Sequence, residues 1–143
     1  MPATDHRHES LDNFLQAALI NAAAIGVGGF LGALARYGMS GLVHSLFRQS
    51  AFPIGTLAVN LTGCLLIGAL NGLAESRQLF GPEARLFAFI GILGGFTTFS
   101  TFGYETFALL RDGEYFRSAT NVGLNVVVGL ALVWLGYVMT TSR

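Results

Sequence analysis

Four apolar stretches alternate with short polar ones along this chain, and each approaches the roughly 20 residues that a helix needs to cross bilayer hydrocarbon. The pattern predicts helical spans over residues 19–40, 53–73, 86–110 and 118–139. The connecting segments 47–51, 74–85 and 111–116 hold most of the remaining charge. Residues 1–18 read as a polar N-terminal tail, its first part carrying His6, Arg7, His8, Glu9 and Asp12 and expected to fray. Residues 19–143 then form one four-helix domain. The small triplet Ala22-Ala23-Ala24 behind Arg7 resembles a signal-peptide cleavage site, but the apolar run continues to Ala35. That is too long for a signal core and predicts a retained helix.

Composition agrees with the pattern. Of 143 residues, 52% are hydrophobic and only 11% charged, and the mean hydropathy is +0.59. A soluble domain of this size is far less apolar, so the expected class is all-α integral membrane. All eight basic residues are arginines, eight acids balance them, and no basic block exists that could track phosphates. Nucleic acid is therefore excluded as a partner. Cys64 is the sole cysteine, which rules out an internal disulfide or a cysteine metal site and leaves it as a small hydrophobe.

Charge placement bears on orientation. Four spans put both termini and the second loop on one side, with Arg7, Arg77, Arg85 and Arg143; the other side carries Arg48, Arg111 and Arg117, with Arg36 leaning toward it. A chain with one fixed orientation concentrates its basic residues on the cytoplasmic side. An even division is expected either from insertion both ways up, with an antiparallel homodimer as the product, or from small counts balancing by chance. Small residues four apart at Gly28/Gly32, Gly68/Gly72 and Gly91/Gly95 predict close helix crossings.

The polar residues inside the spans are the candidate chemistry. The run Gly94-Gly95-Phe96-Thr97-Thr98-Phe99-Ser100-Thr101-Phe102 sets glycines, hydroxyls and rings into the third span. Two glycines before a β-branched pair predict either a helix break or a tight glycine crossing, and a break would free carbonyls able to hold a cation. Helical spacing puts Phe99 and Phe102 on one face, with Thr97, Ser100 and Thr101 beside them. A ring edge is electropositive and a hydroxyl donates hydrogen bonds, so the two together suit an anion; on spacing alone, two phenylalanines in an apolar span are more often core. Asn60 lies in the middle of the second span, and Asn121 and Asn125 lie four apart on the fourth. Amides at this depth either bind neighbouring helices or line a path. No span centre carries Asp, Glu, Lys or Arg, which favours passive permeation over a proton-coupled pump. Arg36 and Glu105 stand toward span ends, the first able to snorkel or to draw anions, the second an interfacial cap or ion-pair partner. His6, His8 and His44 lie outside the polar core, and no catalytic or metal-ligand spacing appears.

Three segments, GGFLGALARY at 28–37, GTLAVNLTGCLLIG at 55–68 and GGFTTFSTFGYE at 94–105, resemble the Fluc, or CrcB, bacterial fluoride channels, over residues 25–137. The resemblance implies a broken third helix in an antiparallel, dual-topology homodimer of the bacterial inner membrane, passing fluoride passively through two pores and excluding chloride. It implies that Phe99 and Phe102 offer ring edges to the ion, with Asn60, Ser100 and Thr101 as polar contacts. A structural sodium ion is implied at the dimer interface on the backbone carbonyls of Gly94 and Thr97, Arg36 at the aqueous mouth, and Glu105 as the acid after the ring pair. Asn121 and Asn125 fall where many relatives carry Tyr or Ser, so their contacts in the pore stay open.

Two other functions are weighed against this. A dual-topology exporter of organic cations would need an acid in the first span, and residues 19–35 contain none. A non-transporting scaffold bundle would need no polar track at membrane depth.

Overall fold

The computed structural model describes residues 5–48, 50–77 and 80–141. Arg143, counted in the charge balance, lies outside the described residues. Among the described residues, four helical segments have the length and apolarity to cross a membrane: Leu11–Leu46, Ile54–Ser76, Pro82–Arg111 and Tyr115–Thr141. The protein is thus an all-helical, multi-pass membrane protein.

The first helix, Asp5–Leu46, runs 42 residues without interruption. It reaches back through the segment that composition assigns to a fraying tail. The physical reason is propagation: once a span is nucleated, each added residue contributes one hydrogen bond, and Leu11, Leu15, Gln16, Ala17 and Ala18 are good helix formers. The second helix is Ile54–Arg77. The third span begins at Pro82–Arg85, widens into a π-helical stretch at Leu86–Leu93 and closes its first half with one turn, Gly94–Phe96. Its second half is Phe99–Arg111. The fourth span comprises Tyr115–Gly123, a π-helical stretch at Leu124–Val128 and Gly129–Thr141. The turn between them uses Gly113 at φ 80°, a conformation that glycine adopts without the Cβ clash.

Two helix pairs make up most of the packing: the first helix lies along the first half of the third span, and the second along the end of the fourth. Glycine permits both crossings. A Cβ on Gly28 would stand 2.9 Å from the Cα of Gly91, and one on Gly95 would stand 3.0 Å from the Cα of Gly29. Gly32 faces the carbonyl of Ile92, and Gly68 that of Val133. With lipid outside, no hydrophobic drive joins these helices, and close van der Waals contact between backbones takes its place.

Burial is inverted relative to a soluble domain. Among the described residues the buried apolar side chains are few, with Val59 at 0% exposure the most enclosed, while Phe14, Leu19, Phe30, Phe99, Phe116 and Trp134 face outward. Thr56, Thr98, Ser118 and Asn121 are buried. The interior is therefore organised by hydrogen bonds.

The glycine crossings yield a test. Gly32→Ala drives a methyl into the Ile92 carbonyl and should cost about 1–3 kcal/mol, whereas Gly26→Ala, with nothing within 4 Å, should be neutral or slightly stabilising. Unfolding in detergent compares them, and equal stability of the two variants contradicts the crossing.

Candidate functional site at the interruption of the third span

The site centres on two residues. Thr97 has φ −81°, ψ 160° and Thr98 has φ −149°, ψ 112°, so two extended residues separate the halves of the third span. The glycines themselves are helical, with Gly94 at φ −64°, ψ −37°, and Gly95 serves the crossing with the first helix. The departure from helix falls on the β-branched pair after them.

Asn60 explains why. Its Oδ1 accepts from the Thr98 backbone N–H at 2.9 Å and its Nδ2 donates to the Thr98 carbonyl at 3.2 Å. One side-chain amide thus brackets both peptide groups of Thr98. In an uninterrupted helix that N–H would point at the Gly94 carbonyl, four residues back. The Thr101 N–H, which would point at the Thr97 carbonyl, meets Thr98 Oγ1 at 3.3 Å, so Thr98 caps the second half-helix. Its hydroxyl also lies 2.9 Å from Thr101 Oγ1 and 3.4 Å from Ser100 Oγ. Three hydroxyls are gathered at one point.

The break changes what the carbonyls of Gly94 and Thr97 meet. The Thr97 carbonyl accepts from Arg36 Nη1 at 3.3 Å. Arg36, expected at an aqueous mouth, reaches the interruption itself while also lining a cavity of about 860 Å³ with Ser40, His44, Thr56, Tyr104 and Glu105. A carbonyl oxygen has two lone pairs, so this bond leaves acceptor capacity at Thr97. Backbone carbonyls are hard oxygen donors of the type an alkali cation takes, and the N–H groups that an unbroken helix would aim at Gly94 and Thr97 here meet Asn60 and Thr98 instead.

Phe99 and Phe102 follow directly, their ring centroids 5.5 Å apart and their planes tilted by 59°. Phe102 is buried, at 8% exposure, whereas Phe99 stands 83% exposed. A second cavity, about 360 Å³, is lined by both rings together with Asn60, Cys64, Thr97 and Asn125. Thr98 lines this cavity and the larger one, so it forms part of the wall between them. Ser100 and Thr101 are exposed on the second half-helix.

Asn60, Asn125 and Asn121 are brought together. Asn60 Nδ2 donates to Asn125 Oδ1 at 3.0 Å, and Asn125 Nδ2 donates to Asn121 Oδ1 at 3.1 Å. Glu105 sits one cavity wall away, its Oε1 accepting from Thr56 Oγ1 at 2.7 Å. Its Oε2 is buried with no hydrogen-bond partner among the described residues. Neither a cap nor an ion pair involves Glu105 among those residues; its bond is to Thr56 on the second helix. Sequence reasoning missed Thr98, Thr56 and Thr106. The signal for Thr98 was present, because threonine directly ahead of a helical stretch is a preferred N-cap.

The sequence pattern of the family described as "CrcB-like protein, Camphor Resistance (CrcB)" matches residues 23–137. A Geobacter sulfurreducens protein named fluoride-specific ion channel FluC is 50% identical over 113 residues, covering 79% of this chain and 90% of its own. Its namesake from Geobacter metallireducens is 48% identical over 125 residues, 87% of this chain and 99% of its own. That from Methylobacillus flagellatus is 45% identical over 113 residues, 79% of this chain and 88% of its own. On a family match that spans most of its length, together with relatives at these identities, the chain belongs to the CrcB-like family.

Proposed function

We propose that this protein is a passive fluoride channel, a transporter and not an enzyme, which lets fluoride leave the cytoplasm across the bacterial inner membrane. Fluoride is small and holds its water tightly, so a pore must replace that shell with several donors at once, each weak enough to release the ion. The extended pair at Thr97 and Thr98 supports this reading above all else: it gathers three hydroxyls and two rings at one depth, with no formal charge on any of them. The rings of Phe99 and Phe102 offer their edges, the hydroxyls of Ser100 and Thr101 donate, and Asn60 holds the break in shape.

The working unit in this reading is an antiparallel dimer with two pores, assembled from chains inserted both ways up. Its support is the four-against-four division of arginines and the 83% exposure of Phe99 beside the polar cluster, an apolar ring that a second copy would cover. The break in the third helix then lies at the contact between copies. A sodium ion would be held by the carbonyls of Gly94 and Thr97 from both chains, where it supplies positive charge that ties the two breaks together. Arg36 adds positive potential beside the larger cavity, concentrating anions at its entrance, and Glu105 with Thr56 forms part of its wall.

Two experiments test the proposal. Phe99→Ile and Phe102→Ile should each lower fluoride efflux from loaded liposomes by at least about tenfold, roughly 1.4 kcal/mol of barrier, with the oligomer unchanged on gel filtration. Wild-type rates in the doubly substituted protein would refute the ring assignment. Lysines added to the loops of one side should give a copy that conducts only when expressed with an oppositely biased copy. Full conduction by a single biased copy would refute dual insertion.

A further inference from the structure

The three membrane-depth asparagines belong to a longer hydrogen-bonded chain than their spacing indicates. From Asn60 it passes to Asn125 at 3.0 Å and to Asn121 at 3.1 Å, then from Asn121 Nδ2 to Thr106 Oγ1 at 2.9 Å and from that hydroxyl to the Phe102 carbonyl at 2.7 Å. Asn125 Nδ2 also reaches the Asn121 backbone carbonyl at 3.0 Å, within the widened turn at Leu124–Val128. The second, fourth and third spans are thereby linked in one series.

The series has a direction that cannot reverse. The Thr98 N–H is a donor only, so it requires Asn60 Oδ1; the carbonyls of Asn121 and Phe102 are acceptors only, so they require Asn125 Nδ2 and the Thr106 proton. Every amide between these fixed backbone groups must point the same way. The amide donors of Asn60 and Asn125 are also spent. Nδ2 of Asn60 carries two hydrogens and has two acceptors, the Thr98 carbonyl and Asn125 Oδ1. Nδ2 of Asn125 likewise has two, both on Asn121. Asn121 is 1% exposed. An ion in the cavity beside Asn125 would find neither hydrogen of that amide unengaged.

We infer that Asn125, Asn121 and Thr106 are positioning residues: their one-way series holds the Asn60 amide against Thr98 and so keeps the third span extended at Thr97 and Thr98, instead of donating to the transported ion. The effect on flux rests on the channel reading above; the effect on Asn60 does not. Thr106 discriminates, because it lines neither cavity described here and has an isostere without the hydroxyl.

The experiment uses full-length protein labelled with 15N-asparagine, studied in micelles by NMR and in liposomes by fluoride efflux. Thr106→Val should shift the side-chain amide signals of Asn121, Asn125 and Asn60, leave those of Asn13, Asn21 and Asn71 in place, and slow efflux by about five- to twentyfold, the range for losing a buried hydrogen bond. Thr106→Ser, which keeps the hydroxyl, should restore both. If Asn121 and Asn125 instead serve the ion directly, Thr106→Val releases a donor and flux stays level or rises, which overturns the inference. So does an unmoved Asn60 signal. Should Thr106→Val fail to fold, Asn121→Ser decides the matter: a short hydroxyl still donates to an ion but cannot span to Thr106, so positioning predicts slow flux and a displaced Asn60, and unchanged values of both refute it. Wild-type liposomes that pass no fluoride would sink the channel reading and leave the amide signals to judge the series.

Discussion

The two hydrogen bonds between the Asn60 side chain and the peptide groups of Thr98 are the interaction on which the rest of the site depends. A transmembrane helix satisfies its backbone internally, and any departure leaves polar groups in a medium that offers no water. Each unpaired buried group costs about 1–3 kcal/mol, so an interruption in mid-span persists only where something replaces the missing bonds. Asn60 replaces two with one side chain. Thr98 then caps the following half-helix with its own hydroxyl, and the rings at Phe99 and Phe102 acquire their place from that cap.

The packing around this point follows from the same solvent. Apolar side chains gain little by turning inward, so most of the large ones face lipid or a neighbouring surface, and the interior goes to glycine contacts and hydroxyl or amide groups. That division explains how a small chain holds a polar cluster at depth. Gly28, Gly29, Gly91 and Gly95 bring the first helix against the third span closely enough for Arg36 to touch the Thr97 carbonyl at 3.3 Å. A bulkier crossing would move the guanidinium out of reach.

Much of this was legible in the residues. The four spans, the glycine pairs and the depth of Asn60 all follow from apolar length and from the expense of burying an amide. The interruption was legible as an event but not as a position. Glycine pairs signal conformational freedom, yet both glycines stay helical and Gly95 is used for contact with Gly29, and the departure from helix is dictated by an acceptor on another span, which no local propensity encodes. Thr106 and Thr56 escaped notice for a related reason: a single hydroxyl in a helix normally bonds its own preceding carbonyl, and only the tertiary arrangement shows that Thr106 meets Asn121 as well and that Thr56 donates to Glu105. The apolar pattern marks only part of the first helix, because a nucleated span extends through the polar residues ahead of it cheaply.

The length of that first helix has a practical side. Forty-two residues make a rod of about 63 Å, roughly twice the hydrocarbon thickness of a bilayer. Ser40 packs against Gly55 where the second helix begins, and the apolar part of the first helix runs from Leu11 to Leu46. The helix is thus longer than a perpendicular crossing requires, and a fluorophore or epitope fused ahead of its first turn would report which way up each molecule sits without touching the crossings made by Gly28, Gly29 and Gly32.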